Sequence, residues 1–272
     1  MPELPEIETV KLQLAKVLVG QTCAKCQGPR AKEIEGKTVT DVRRRGKVLL
    51  IDFGKTALGF HFKMTGQLVY IPSAKGQGLS ARIVGGHPSE DFVAKLPNKH
   101  TRAIFEFEKG TLFFNDMRKF GWIKINPKFV EKLGPEPFDI SATKFLKLLK
   151  GLKKPIKCAI MNQEVIAGVG NIYANDALCE ARINPKVPSN KVTSDKAKVL
   201  LKKIILVLKE GIKYGGASMS DYVDTRGMGG TYQDHFRVYK QEGKKCKRCK
   251  SVIKKIVLGG RGTYYCEVCQ PY

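Results

Sequence analysis

The sequence predicts an α+β chain with a β-rich first half behind one N-terminal helix, a helical second half and a small C-terminal hairpin module. Three observations carry this. Short β-rich runs fill Thr38 to Ile125, helical spacing dominates from Thr143 to Lys213, and four cysteines near the end fall as two C-x2-C pairs, Cys246 and Cys249, then Cys266 and Cys269. The 272 residues suffice for two cores, since a domain usually takes about 100 to 200 residues.

Taken in order, the helix comes first. Pro5 suits a first helical turn, and Glu6, Ile7, Val10, Leu14, Val17 and Leu18 make a face that stops near Gly20. Val48 to Phe53, Leu58 to Phe62, Gln67 to Ile71, Ala103 to Phe107, Thr111 to Phe114 and Trp122 to Ile125 read as strands of a sandwich or barrel, with Glu108 to Gly110 as a hairpin turn. Between them Ser73 to Asn98 is rich in Gly, Pro and Ser and reads as a surface insertion. Leu133 to Asp139 breaks both periods and reads as a linker. Thr143 to Leu152, Lys157 to Asn162, Ile172 to Ala181 and Ser194 to Lys213 have helical spacing, the last capped by Thr193 or Ser194. Tyr214 to Tyr232 is crowded with glycines and reads as a mobile loop.

Charge narrows the function. Forty-nine Lys and Arg against twenty-five Asp and Glu leave +24, spread along the chain. A small-anion enzyme does not need that surplus, whereas a polyanion does, because each cation at a phosphate releases condensed counterions. Solubility is the plainer reading of the same charge. The longest aliphatic runs, such as Ile204 to Leu208, are far short of a membrane span, and the first residues lack an apolar signal core, which predicts a soluble cytoplasmic protein with no membrane partner.

The spacing of Cys246, Cys249, Cys266 and Cys269 suits one structural Zn2+ ion in tetrahedral S4 coordination, with Val252 to Leu258 before Gly259 and Gly260 as a hairpin that closes the site. Disulfides are the alternative, disfavoured in a cytosolic chain. Cys23 and Cys26 form a further C-x2-C with no second pair nearby and read as reduced thiols; Cys158 and Cys179 read as core packing.

Chemistry can begin at the N-terminus. Pro2 permits removal of Met1, exposing a secondary amine with a pKa near about 8. Such an amine attacks an electrophilic carbon and yields a charged iminium, an electron sink for elimination. Glu3 beside it, and Glu6 at the positive end of the first helix, can exchange protons or simply cap the helix.

The opening Met1 to Val10, Arg45-Gly46-Lys47, His61 to Gly66, Asp116 to Gly121, Leu133 to Pro137, Gly168 to Ala174 and the cysteine segment together resemble the formamidopyrimidine-DNA glycosylase family, the bacterial Fpg enzymes of oxidised-base repair. The resemblance covers most of the chain apart from the insertion. It implies an N-terminal catalytic β-sandwich over residues 1–132, with the insertion at about 73–98. A helix-two-turn-helix DNA-binding domain with a lesion loop would follow over 133–240, and a zinc finger over 241–272.

It also implies a bifunctional glycosylase and AP lyase that acts as a monomer on oxidised purines in duplex DNA, in the bacterial cytoplasm and on the nucleoid. Pro2 would attack C1′, Glu3 protonate the opening sugar, Lys47 assist elimination from a strand, and Arg261 donate in δ-elimination. Met64, Arg118 and Phe120 would fill the space left by an extruded base. Asn171, His61, His100, Lys153, Lys157 and Tyr239 would meet the DNA backbone, and Asp224 to Tyr232 close over the base. Lys63, Met117 and Lys119 depart from the glycine, proline and arginine common there. Two alternatives stand beside this reading: an endonuclease VIII-like enzyme for oxidised pyrimidines, against which Leu4, Arg118 and Phe120 argue, and a non-catalytic zinc-ribbon nucleic-acid binder.

Overall fold

A computed structural model describes residues 1–73, 83–86, 96–217 and 230–272. They fall into two units, Met1–Val130 with Gly211–Gln233, and Glu131–Glu210 with Asp234–Tyr272.

In the first unit, α1 (Leu4–Leu18) buries Leu4, Ile7, Val10, Leu14 and Leu18, one stripe at helical spacing. Among the described residues nine strands follow: β1 (Cys23–Gln27), β2 (Asp41–Arg45), β3 (Val48–Phe53), β4 (Thr56–His61), β5 (Gly66–Pro72), β6 (Ile83–Gly86), β7 (Thr101–Phe107), β8 (Gly110–Asp116) and β9 (Trp122–Ile125). They form two antiparallel sheets, β1-β7-β8-β5-β6 and β2-β3-β4-β9. The core lies between them and under α1. Phe60 of β4 packs edge-on against Phe105 of β7 with ring centroids 6.0 Å apart, and tilted against Phe114 of β8 at 5.6 Å. The sandwich, one of the two closures the strand pattern allows, is therefore realised.

Three strands escape the sequence pattern. Strands β1 and β2 read Cys-Ala-Lys-Cys-Gln and Asp-Val-Arg-Arg-Arg, whose polar residues hide their β character until pairing supplies the context. Strand β6 lies inside the predicted insertion and pairs with β5, so that stretch is not wholly irregular. Residues 74–82 and 87–95, the rest of the insertion, lie outside the described residues.

The second unit holds α2 (Ala142–Lys150), α3 (Ile156–Met161), α4 (Asn171–Glu180), most of α5 (Ser194–Lys213) and a hairpin of β10 (Lys254–Leu258) and β11 (Arg261–Tyr265). Ser141 Oγ caps α2 by accepting from Lys144 N at 3.2 Å, and α5 starts at a Thr193 cap, whose Oγ1 accepts from Lys196 N at 3.4 Å. The segment that reads as a linker is docked: Gly134 N donates to Gln163 O at 2.8 Å and Ala167 N to Pro135 O at 2.9 Å. A side chain at Gly134 would meet the Glu164 carbonyl oxygen at 2.3 Å, which explains the glycine. Among the described residues no helix is long and apolar enough to cross a membrane.

Candidate nucleic-acid interface and metal centre

Strand register gathers the predicted residues of the first unit at one edge of the sandwich. His61 at the end of β4 faces Trp122 at the start of β9; Gly66 at the start of β5 faces Asp116 at the end of β8; Thr101 at the start of β7 faces Asn115. The turns leaving these ends carry Met64, His100, Arg118 and Phe120. Asp116 braces two of them: one carboxylate oxygen accepts from Thr65 Oγ1 and the other from Gly121 N at 2.6 Å, while Thr65 Oγ1 also accepts from Arg118 N at 3.0 Å. His100 joins the same rim, its carbonyl accepting from Asp116 N at 2.9 Å.

On this braced rim Met64 is 44% exposed and Phe120 55% exposed, with the Arg118 guanidinium 4.8 Å over the Phe120 ring. Apolar side chains held out by rigid turns suit insertion into a partner more than a core. Lys63 and Lys119 stand at φ 51° and 57°, left-handed backbone that favours glycine. A glycine at the first site would be free of that strain, whereas Lys63 adds a cation beside the rim.

The N-terminus reaches this edge too. Lys47 lies in the β2–β3 turn, one residue short of the strand on which it was expected, because Gly46 at φ 57° and Lys47 join Arg45 to Val48. Arg44 fixes that turn, donating to Gly46 O at 2.9 Å and to Glu8 Oε2 of α1 at 2.8 Å. Burial pushes the Glu8 carboxyl up, but hydrogen bonds and charge from Arg44 and Lys11 outweigh it and leave the pKa lowered. Pro2 and Glu3 are buried, and Glu3 N donates to Glu6 Oε2 at 2.8 Å. The other Glu6 oxygen accepts from Ala217 N at 2.8 Å, and a Cβ on Gly216 would lie 2.7 Å from Glu6 Cγ. Glu6 thus ties the N-terminus to the near end of the glycine-crowded stretch Tyr214 to Tyr232, which contains the predicted lesion loop. The far end pairs back through Ala217↔Thr231, while residues 218–229, which hold most of that loop, lie outside the described residues.

His61 reports how strongly cations converge. Burial first, then the charges of Lys63, Lys47 and the chain's amino terminus, lower its pKa to about 4. Its Nδ1 accepts from Lys63 N at 3.0 Å, so the neutral ring carries its proton on Nε2 as a donor.

In the second unit Asn171 is the first residue of α4, after the turn Gly168 to Gly170. Gln163 shapes that turn, its Oε1 accepting from Gly168 N at 2.8 Å and its Nε2 donating to Val169 O at 2.9 Å. Asn175 joins the helix to the hairpin, donating to Asn171 O at 2.6 Å and accepting from Tyr264 N at 2.8 Å. Fully buried Asp176 accepts from the backbone N–H groups of Arg237, Val238 and Tyr239 at 3.1–3.2 Å, which sets Tyr239 edge-on to Tyr264.

Arg261 is exposed just after Gly259 and Gly260, whose φ values of 54° and 71° fit a two-residue hairpin turn. Lys153 is exposed. Lys157, expected at the DNA backbone, is instead fully buried, and its Nζ donates to Gly262 O at 2.8 Å and Thr263 Oγ1 at 2.7 Å. It holds the Arg261 hairpin from behind. Cys179 is buried as expected and its pKa pushed up to about 12 by burial, whereas Cys158 is half-buried beneath Gly259.

The Sγ atoms of Cys246, Cys249, Cys266 and Cys269 all lie within 4.8 Å of one another, with Cys246 to Cys269 at 3.9 Å and Cys249 to Cys266 at 3.4 Å. Four thiolates at about 2.3 Å from one ion span comparable distances, so the donor set fits a closed structural zinc site. Gln270 fastens this module, accepting from Cys266 N at 3.0 Å and donating to Ile183 O at 2.8 Å.

Apart from Glu6, Glu8 and Asp116, which lie in motifs visible in the sequence, the supporting residues Arg44, Asn175 and Asp176 give no sequence signal, because their partners lie far along the chain, while Gln163 stands outside the motifs and binds a turn five and six residues on. Family comparison matches residues 1–123 to the formamidopyrimidine-DNA glycosylase N-terminal domain, 133–223 to its H2TH domain and 243–271 to a zinc finger found in FPG and IleRS. Formamidopyrimidine-DNA glycosylases of Carboxydothermus hydrogenoformans and Solibacter usitatus are 36% and 37% identical, over 99% of this chain and 100% and 99% of theirs. Lactococcus lactis Fpg in complex with abasic-site DNA superposes with a TM-score of 0.83 at 32% identity, over 99% of this chain and all of that one. The Thermus thermophilus Fpg protein gives the same score and identity over 99% and 98%. The chain belongs to the formamidopyrimidine-DNA glycosylase family.

Proposed function

We propose that the sandwich edge around Pro2 is the reaction centre of this base-excision repair enzyme, a DNA glycosylase and AP lyase that removes oxidised purines, 8-oxoguanine and formamidopyrimidines, from duplex DNA. The observation that carries it is the convergence of Lys47, Lys63 and the amino terminus on His61, beside the exposed Met64, Arg118 and Phe120. Cations gathered on one rim attract the phosphates on either side of a damaged nucleotide.

With Met1 removed, the Pro2 nitrogen attacks C1′ of the damaged nucleotide, the glycosidic bond breaks and an iminium forms. Glu3 protonates the opening sugar oxygen, Lys47 assists β-elimination, and Arg261 donates as δ-elimination releases the second phosphate. Met64, Arg118 and Phe120 fill the space the base vacates, at a cost of a few kcal/mol for extrusion. His61, His100, Lys153, Asn171 and Tyr239 meet the backbone, with the α4 N-terminus adding N–H donors. Lys157 serves instead as a positioning residue for Arg261. Zinc on Cys246, Cys249, Cys266 and Cys269 supplies folding energy for the hairpin. The working division is 1–132 for catalysis, 133–240 for DNA binding and the lesion loop, and 241–272 for the zinc finger. The bacterial relatives support a cytoplasmic enzyme, acting as a monomer on the nucleoid.

Borohydride trapping tests this. Reductant should fix the protein covalently to a duplex with an abasic site, and Pro2→Gly, or retention of Met1, should cut trapping by at least about 100-fold. A zinc-ribbon binder shows no trapping at all. Faster release of oxidised pyrimidines than of 8-oxoguanine from matched duplexes would transfer the chain to the endonuclease VIII-like specificity.

A further inference from the structure

Strand β1 carries a C-x2-C pair that the repair reaction leaves unused. In a regular strand, residues three apart point to opposite faces and stand about 10 Å apart. Here the register slips: Cys23 faces Phe107, Lys25 faces Glu106 and Cys26 faces Phe105, so a bulge between Cys23 and Lys25 turns both cysteines the same way. Cys23 and Cys26 are buried while Ala24 and Lys25 between them are exposed, and the two Sγ atoms are in contact at 2.8 Å. The pair is not part of a metal cluster, since among the described residues only the four C-terminal cysteines gather three or more ligands. The strand is also the outer one of its sheet, with β7 on one side and, at Cys23, backbone hydrogen bonds to Gly36 and Lys37 on the other.

We propose that Cys23 and Cys26 are a reversible dithiol–disulfide site that exchanges with small-molecule disulfides. Cys26 reacts first, because it is 7% exposed against 0% for Cys23, and the hydrogen bond from Cys23 lowers its pKa while raising that of its partner. The Cys26 thiolate attacks one sulfur of the small disulfide, whose S–S bond breaks and releases one thiolate that takes a proton from water. Cys23 then gives its proton to solvent and attacks Cys26 Sγ, releasing the second small thiol. Two protein thiols are oxidised and one small disulfide is reduced to two thiols. The ring encloses only two residues, so its closure constrains the unfolded chain little; the pair is a site of exchange more than a structural staple.

Trypsin makes the test direct, since cleavage after Lys25 separates the two cysteines. The zinc-loaded full-length protein is incubated with oxidised glutathione, its remaining thiols are alkylated under denaturing conditions, and it is digested without reductant. Peptides 17–25 and 26–30 should appear joined, lighter by two hydrogens than their sum, and separate on reduction. Cys23→Ser should stop the sequence at a glutathione adduct on Cys26. Two separately alkylated peptides from the oxidised wild-type protein, or a lasting adduct without ring closure, would overturn the proposal, and neither depends on the variant folding.

Discussion

At the residue scale, His61 shows how a fold sets a charge state before any ligand arrives. Its pKa of about 4 in the folded chain lies below the unfolded value near 6.5, so between those values the unfolded chain binds a proton that the native chain refuses. The stability this difference supplies is whole above pH 6.5 and is lost as the pH falls toward 4, at most about 3 kcal/mol. His61→Asn keeps an acceptor for Lys63 N and removes the titration. The variant should therefore lose fewer degrees of melting temperature than the parent between pH 7 and pH 4.5. Parallel melting curves for the two proteins over that range would overturn the assignment, and a histidine titration by NMR with a midpoint near 6.5 would do so independently. Nothing in the sequence announces this shift, because it arises first from burial and then from Lys63, Lys47 and the amino terminus converging from three segments of the chain.

At the element scale, the β10–β11 hairpin is aimed from beneath by a lysine with no exposure. Lys157 Nζ binds Gly262 O and Thr263 Oγ1, and the same Thr263 hydroxyl donates to Arg261 O at 3.1 Å. Lys157→Met fills similar volume but leaves that carbonyl and hydroxyl short of a donor, at a cost of about 1–3 kcal/mol. With Arg261 less well held, product analysis on abasic duplex should shift from doubly eliminated ends toward the β-elimination product alone, while borohydride trapping through Pro2 persists. An unchanged product ratio would return Lys157 to a packing role. The same residue marks the limit of sequence reading. A lysine in a basic chain reads as a phosphate contact, and only the docking of α3 against the hairpin, about a hundred positions away, reveals its burial. Elements with one helical period, such as α1 and α5, or with a continuous apolar run, such as β3, were legible almost to their ends. The strands β1 and β2 were not, since Glu8 and the strands beside them, more than their own propensity, make their lysines and arginines tolerable.

At the scale of the whole molecule, cations and zinc divide the work of holding DNA. The charge of +24 draws in the duplex without regard to sequence, and salt weakens that attraction. The zinc module shares one small buried cluster with the rest of its unit, Cys179, Val238, Cys246, Ile253 and Cys266, too few residues to hold a hairpin rigid without metal. The sandwich core is about four times larger by residue count and, among the described residues, shares none of the four clustered cysteines. The two should therefore fail separately, and the single tryptophan distinguishes them. Trp122 packs in the first unit between His61 at 5.6 Å and Phe129 at 5.2 Å, so its fluorescence reports the sandwich alone. Zinc removal by a chelator, or Cys249→Ser, should leave the Trp122 emission and its melting midpoint nearly unchanged while weakening affinity for abasic duplex by at least about tenfold, since Arg261 loses its fixed orientation. Undiminished affinity without metal would show that the hairpin stands on its own packing. Loss of the Trp122 signal on chelation would instead mean that zinc stabilises both units together.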